Sequence, residues 1–304
     1  MRQMTDKKFF NIMLVCIIAV MLIFFCADNI SRNGGFFGKK NQPVLTEELR
    51  ELFSTRPAYG LGINKELKGK ITVQIFFVDD DESNWDAESI SLFMKPIKEG
   101  LRFIEKQADR YGVELEFEIQ YHASTVSGEK DKLRYKGSVL DGSDGTHTHD
   151  MMEQLADNFG YYSTRQLYES YKYQSGGREV VFVAVVNKDG ISTARQQQSA
   201  DYGGDYVEHA IIFTNYIGRN LPLDKKSDRA STVAHEVMHL FGAPDLYIKR
   251  TVERYTSYKY PKDIMLGDTD DMRGLRSVNI RHIPSAGWTL RQSLNEGDVR
   301  DNLL

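Results

Sequence analysis

The chain has 304 residues, 41% of them hydrophobic, and a formal net charge of -4. That weak negative balance gives no support for nucleic-acid binding. Its two cysteines, Cys16 and Cys26, sit close together near the N-terminus and exclude a disulfide framework for the rest.

Residues 9–27 form an almost unbroken apolar run in which Asn11 is the only strongly polar member. Nineteen residues at helical rise reach roughly 28 Å, enough to cross a hydrocarbon core. Arg2, Lys7 and Lys8 precede the run and favour a cytoplasmic segment at 1–8, although Arg32, Lys39 and Lys40 follow it. The first reading is a retained transmembrane signal anchor. A cleaved signal is the second reading, but only Ala27 offers a small residue at the exit. A lipid anchor on Cys26 is the third, with bulky Phe25 before it. All three put the remainder outside the cytoplasm. Both cysteines lie in this run, so the exported part has none.

Residues 28–44, with Gly34, Gly35, Gly38 and Pro43, read as a linker. Residues 45–304 are long enough for one sizeable domain, and Thr46 caps a short helix through Phe53. The β-branched and aromatic run 71–78 predicts a strand. Asp79, Asp80, Asp81 and Glu82 follow it and read as a solvated strand-to-helix turn, with calcium binding as the alternative. Ile90, Phe93, Met94, Ile97, Leu101 and Ile104 recur at three- and four-residue steps and predict a helix over 86–110. Alternation over 113–121 predicts a second strand.

Residues 122–178 read as an insertion over the core, with helical stretches at 151–159 and 165–173. The segment Asp141-Gly-Ser-Asp-Gly145, followed by His147, His149 and Asp150, reads as a polar surface loop; calcium or a second metal is the alternative. The nearly continuous apolar run 179–186 suits a buried central strand, and 209–214 suits another strand. His209 reads as structural on that strand, and His122 and His282 carry no specific signal.

The densest signal is His235-Glu-Val-Met-His239-Leu-Phe-Gly242-Ala-Pro-Asp245. On a helix, residues four apart share one face, so His235 and His239 can reach one metal. Glu236 lies beside them as a candidate general base. Gly242 can end the helix in a left-handed conformation and let Asp245 return to the metal. Ser227 or Asp228 can cap the start, and Ala230, Val233, Ala234, Val237 and Leu240 supply a buried side. The bland alternative is an amphipathic core helix that carries two surface histidines.

This extended motif resembles the metzincin clan of zinc endopeptidases, commonly written HExxHxxGxxH. With Asp245 as the third ligand it is similar to immune inhibitor A-type and snapalysin-like peptidases, the wording 242–247 most of all to the former. Asp263-Ile-Met265-Leu-Gly267 is similar to the clan's methionine turn, with Met265 as the methionine. The resemblance implies an α/β (α+β) zincin: a mixed twisted sheet, an active-site helix, and a smaller C-terminal subdomain with a helix over 277–288 anchored by Trp288. It implies one catalytic zinc held by His235, His239 and Asp245, with Glu236 as general base. It also implies a substrate-binding antiparallel edge strand, for which 192–203 is the candidate. A tyrosine assists the oxyanion in many relatives two residues past the methionine. Gly267 stands there, which leaves Tyr247, Tyr255, Tyr258 and Tyr260 as undecided candidates. A gluzincin arrangement would need a glutamate from a following helix, for which Glu253 is the nearest.

The expected function is a membrane-tethered, extracellular zinc metalloendopeptidase acting on a protein or peptide substrate. The alternatives are a zinc-containing surface binding or sensor protein without turnover and a hydrolase of cell-wall peptide amides. Without cysteine in the exported part, a thiolate propeptide switch is excluded.

Overall fold

Strand β1, Gly69–Val78, is buried along its last eight residues because helices cover both of its faces. This is seen in a computed structural model of the chain, which describes residues 63, 64, 66–140, 145–195, 207–215, 229–243, 245–247, 250–259 and 261–266. The expectations at 1–62, 141–144, 196–206, Ser227, Asp228, Tyr260, Gly267 and 277–288 lie outside the described residues. No helix among the described residues is long and apolar enough to cross a membrane.

The chain runs through helix α1 (Ala87–Arg110), β2 (Leu115–Ala123), α2 (Gly145–Asn158), α3 (Thr164–Gln174), β3 (Val180–Asp189), β4 (Thr193–Arg195) and β5 (His209–Asn215). Helices α4 (Arg229–His239) and α5 (Arg250–Lys259) and a 3-10 turn at Ile264–Leu266 follow. The five-stranded sheet has the order β2-β1-β3-β5-β4. Four strands are parallel, and the edge strand β4 runs antiparallel to β5. The chain is therefore a mixed α/β protein.

Successive side chains on a strand point to opposite faces, and here each face has its own core. Ile71, Val73, Ile75 and Phe77 of β1 join Val181, Val183 and Val185 of β3 under α1 and α4. Phe76, Val78, Phe182, Ala184, Ile211 and Phe213 face the other way, against Met151, Met152 and Leu155 of α2 and Leu167, Tyr168 and Tyr171 of α3. Each fully buried aliphatic or aromatic side chain contributes about 1.5–3 kcal/mol. The segment read as an insertion at 122–178 thus supplies the helices over the second face of the sheet.

Element ends follow local chemistry. Asp86 caps α1 by accepting from the Ser89 amide at 2.7 Å. At the other end, Val113 N–H returns to the Ala108 carbonyl, so residues assigned to the second strand from the sequence still belong to the helix terminus. Helix α2 begins well before 151, and His149 and Asp150 are therefore helical.

The acidic turn after β1 departs from the solvated reading. Asp79 and Asp80 are buried, while Asp81 and Glu82 are exposed. Lys188 Nζ lies 2.7 Å from Asp80 Oδ2, 2.8 Å from Glu82 Oε2 and 2.7 Å from Ser138 Oγ. The other oxygen of Asp80 accepts from the amides of Glu82 and Ser83 and from Ser83 Oγ. A buried carboxylate needs this much compensation. The lysine already supplies the cation that the calcium alternative would require.

Candidate metal centre

Helix α4 carries the motif because its other residues are buried apolar anchors. Val233, Ala234, Val237 and Met238 enter the core shared with α1 and the sheet. The crossing with α1 is very close at Gly100, where a β-carbon would lie 2.5 Å from the Ala230 carbonyl oxygen. At the helix start, Arg229 Nε donates to Thr214 O at 3.1 Å, which ties α4 to the end of β5.

His235 and His239 project from one face of α4, one turn apart, with their Nε2 atoms 3.0 Å from each other. Gly242 turns the chain with φ of 87°, a conformation resisted by residues bearing a β-carbon. Its amide returns to His239 O at 2.8 Å, and the Ala243 amide returns to Met238 O at 3.2 Å. The turn also aims the Ala243 carbonyl at His239 Nδ1, 2.6 Å away. Asp245 then comes back over the helix, its Oδ1 3.0 Å from His235 Nε2 and 3.2 Å from His239 Nε2.

The 3-10 turn that contains Met265 closes the site from beneath the main chain. Ile264 O accepts from His235 Nδ1 at 2.9 Å, and Met265 O accepts from the Leu246 amide at 2.9 Å. Met265 itself is fully buried in the core that also holds Val237, Met238, Phe241 and Leu246.

The proton positions follow from these partners. A carbonyl only accepts, so both Nδ1 atoms carry hydrogen and both Nε2 atoms of the neutral rings present lone pairs. With both rings neutral, three acceptor atoms converge, and Asp245 Oδ1 is buried among them. In that form the cluster is repulsive until a proton or a metal ion joins it. Two imidazole nitrogens and a carboxylate oxygen form a donor set suited to zinc. Donors around a tetrahedral zinc lie roughly 3.3–3.5 Å apart, so the observed triangle needs to open by only a few tenths of an ångström. His235, His239 and Asp245 are the one such group of potential metal ligands among the described residues.

Electrostatics point the same way. Burial lowers the His235 pKa, but Asp245 and Glu236, with the Ile264 carbonyl, outweigh it and raise the pKa to about 9. A proton and a metal ion compete for that lone pair. Burial also opposes charge on Asp245, yet its two imidazole neighbours hold its carboxyl well below the usual range. Glu236 is buried and has a raised pKa, from burial first and then from the Asp245 charge; His235, His239 and the Ala194 amide act against the rise. The Glu236 carboxylate is thus reached by the backbone of edge strand β4, a contact with no local sequence signal.

The remaining candidates fall into place around this centre. Tyr247 stacks on His235 with ring centroids 6.2 Å apart and is 43% exposed. Tyr255 is buried in the core and Tyr258 is exposed on α5. Glu253 is exposed on α5 and does not join the donor group. His209 is fully buried, with Nδ1 donating to Val207 O at 2.9 Å, and burial holds its pKa down at about 4. His122 contacts Glu129 Oε1 at 2.8 Å and Gln74 Oε1 at 2.9 Å and stacks on Phe76. It belongs to a polar brace between β2, β1 and α3 that composition alone does not reveal. No family model matches the chain, and no curated protein matches it either.

Proposed function

We propose that this chain is a zinc metalloendopeptidase of metzincin type, tethered to a membrane by residues 9–27 with its catalytic domain outside. The observation that carries the proposal is the triangle of His235 Nε2, His239 Nε2 and Asp245 Oδ1, with separations of 3.0–3.2 Å. A buried glutamate beside it, Glu236, separates this arrangement from a metal site that only binds. The mixed sheet with its antiparallel edge strand β4 next to α4 is compatible with this reading. The tether rests on the sequence, through the length and apolarity of 9–27.

His235, His239 and Asp245 would hold the ion. When bound, zinc lowers the pKa of water and polarises a scissile carbonyl. The chain's own residues supply orientation and proton transfer. Ile264 O and Ala243 O hold the two rings in the tautomer that frees Nε2. Glu236, made a stronger base by burial and oriented by the Ala194 amide, takes the proton of the attacking water. It then delivers that proton to the amine nitrogen as the C–N bond breaks. Strand β4 pairs with β5 along one edge, and its other edge suits an extended substrate backbone.

The test is metal analysis of the purified full chain in detergent, with cleavage of a peptide library by wild type and Glu236→Ala. The expected result is one zinc per chain in both, with turnover reduced at least about a hundredfold in the variant. Stoichiometric zinc without cleavage of any peptide would make the chain a binding or sensor protein. Cleavage confined to cell-wall peptides would make it a wall amide hydrolase. Absence of zinc would overturn the site assignment itself.

A further inference from the structure

Asp263 is fully buried two residues before Met265, and no part of the proposed reaction uses it. Its Oδ1 accepts from the Met265 amide at 2.9 Å, and its carbonyl accepts from the Leu266 amide at 3.2 Å. Together these bonds close the 3-10 turn Ile264–Leu266. The two carbonyls inside that turn are the ones that face the site. Ile264 O receives His235 Nδ1, and Met265 O receives the amide of Leu246, the residue after Asp245.

We infer that Asp263 is a positioning residue that sets two metal donors at once, His235 Nε2 and Asp245 Oδ1, through two successive carbonyls of one capped turn. The physical argument is one of lever arms. The rotation of an imidazole about its side-chain torsion decides where Nε2 points, and the hydrogen bond at Nδ1 fixes that rotation. The bond to Leu246 fixes the backbone from which Asp245 projects. A turn without its carboxylate cap can let both carbonyls drift, and the triangle then loosens on two sides together. The turn at Gly242 holds His239 separately, through Ala243 O, so the third donor stays in place.

The inference rests on the metal reading of the site, and its test keeps the two separable. Zinc affinity is measured by competition with a chromophoric chelator for the full-length wild type, Asp263→Ala, Asp263→Asn and Asp263→Ser. The visible absorption of the cobalt-substituted proteins is recorded as a signature of coordination. Thermal midpoints with excess chelator report stability without metal. Asp263→Ala is expected to lose roughly 10–100-fold in zinc affinity, with a changed cobalt spectrum. Asp263→Asn keeps an acceptor for the Met265 amide and is expected to stay within about threefold of wild type; Asp263→Ser, with a shorter reach, falls between. If Asp263→Ala does not accumulate as folded protein, a lower affinity of the serine than of the asparagine variant supports the inference. Equal affinity of all folded variants overturns it and leaves the metal site standing. So does a loss of affinity wholly explained by unfolding of the metal-free variant. A wild type without stoichiometric zinc overturns both readings.

Discussion

Asp80 and Asp245 each turn a carboxylate oxygen into the protein interior, and the structure treats the two in opposite ways. Around Asp80, at the ends of β1 and β3, a lysine, a hydroxyl and three amides satisfy both oxygens. Burial alone would raise the Asp80 pKa, yet those partners lower it. Around Asp245, by contrast, the nearest polar atoms are two imidazole nitrogens, His235 Nε2 and His239 Nε2. The first cluster contains a fixed cation, whereas in the second the positive charge comes from a proton on His235, whose pKa is raised to about 9, or from a bound ion that displaces it. Buried charge must be neutralised, and the second cluster is the one whose neutralising charge is exchangeable, so it is the one that could hold a metal ion.

The largest way to sharpen this contrast is metal loading. Zinc at a thousandfold excess over its Kd is expected to stabilise the folded chain by about 4 kcal/mol, and a chelator should reverse the gain. Thermal unfolding with and without metal checks it; an equal shift in an Asp245→Ala variant would show that the ion binds elsewhere.

The converse experiment breaks the complete cluster. Lys188→Met strands the Asp80 carboxylate in the interior and is expected to cost about 3–4 kcal/mol in urea unfolding, without changing zinc affinity. The double variant Asp80→Asn with Lys188→Met should recover part of the loss, since the neutral amide leaves no buried charge and keeps an oxygen to accept from the Glu82 and Ser83 amides.

A third buried group, His209, is held neutral instead. His209 faces positively charged Arg195 and has His149 nearby, and burial is the main reason its pKa falls to about 4 from 6.5. A folded pKa below the unfolded one means that protons favour the unfolded chain. Stability is therefore complete above about pH 6.5 and declines as pH falls towards 4, by about 2–3 kcal/mol. Metal-free urea unfolding at pH 7 and pH 4.5 measures it, and His209→Gln should flatten the slope.

The smallest expected effect is at the helix crossing. Gly100→Ala forces α1 and α4 apart, at a cost of about 1–2 kcal/mol. Because α4 carries both histidines, zinc affinity should fall as well, whereas the Asp80–Lys188 cluster should be unaffected. An alanine variant with wild-type stability and zinc affinity would show that the crossing tolerates the added carbon.

The parts legible in advance were those with local causes. The β-branched and aromatic run at 71–78 and the nearly continuous apolar run at 179–186 mark strands, and both prove buried on both faces and interior to the sheet. The periodicity from Ile90 to Ile104 matches α1 to within a residue at its start. Sequence proximity made Asp79 and Asp80 look like surface acids because the compensating lysine lies more than a hundred residues away. The helices of 122–178 were legible as helices, but the face of the sheet they cover was not, since periodicity reports a buried side without naming its neighbour.

At the candidate site the same division holds. The spacing of His235, Glu236, His239, Gly242 and Asp245 is enough to predict a ligand pair, a base and a turn, because helix geometry and the left-handed freedom of glycine act over a few residues. Only the tertiary structure decided which carbonyls lock the rings, that Ala194 reaches Glu236, and that Asp263 braces His235 and the Asp245 backbone through one turn. Apart from the four-residue span between His239 and Ala243, those relations are made by hydrogen bonds between segments far apart in the chain. They depend on how the sheet, α4 and the 3-10 turn pack, which no local pattern records.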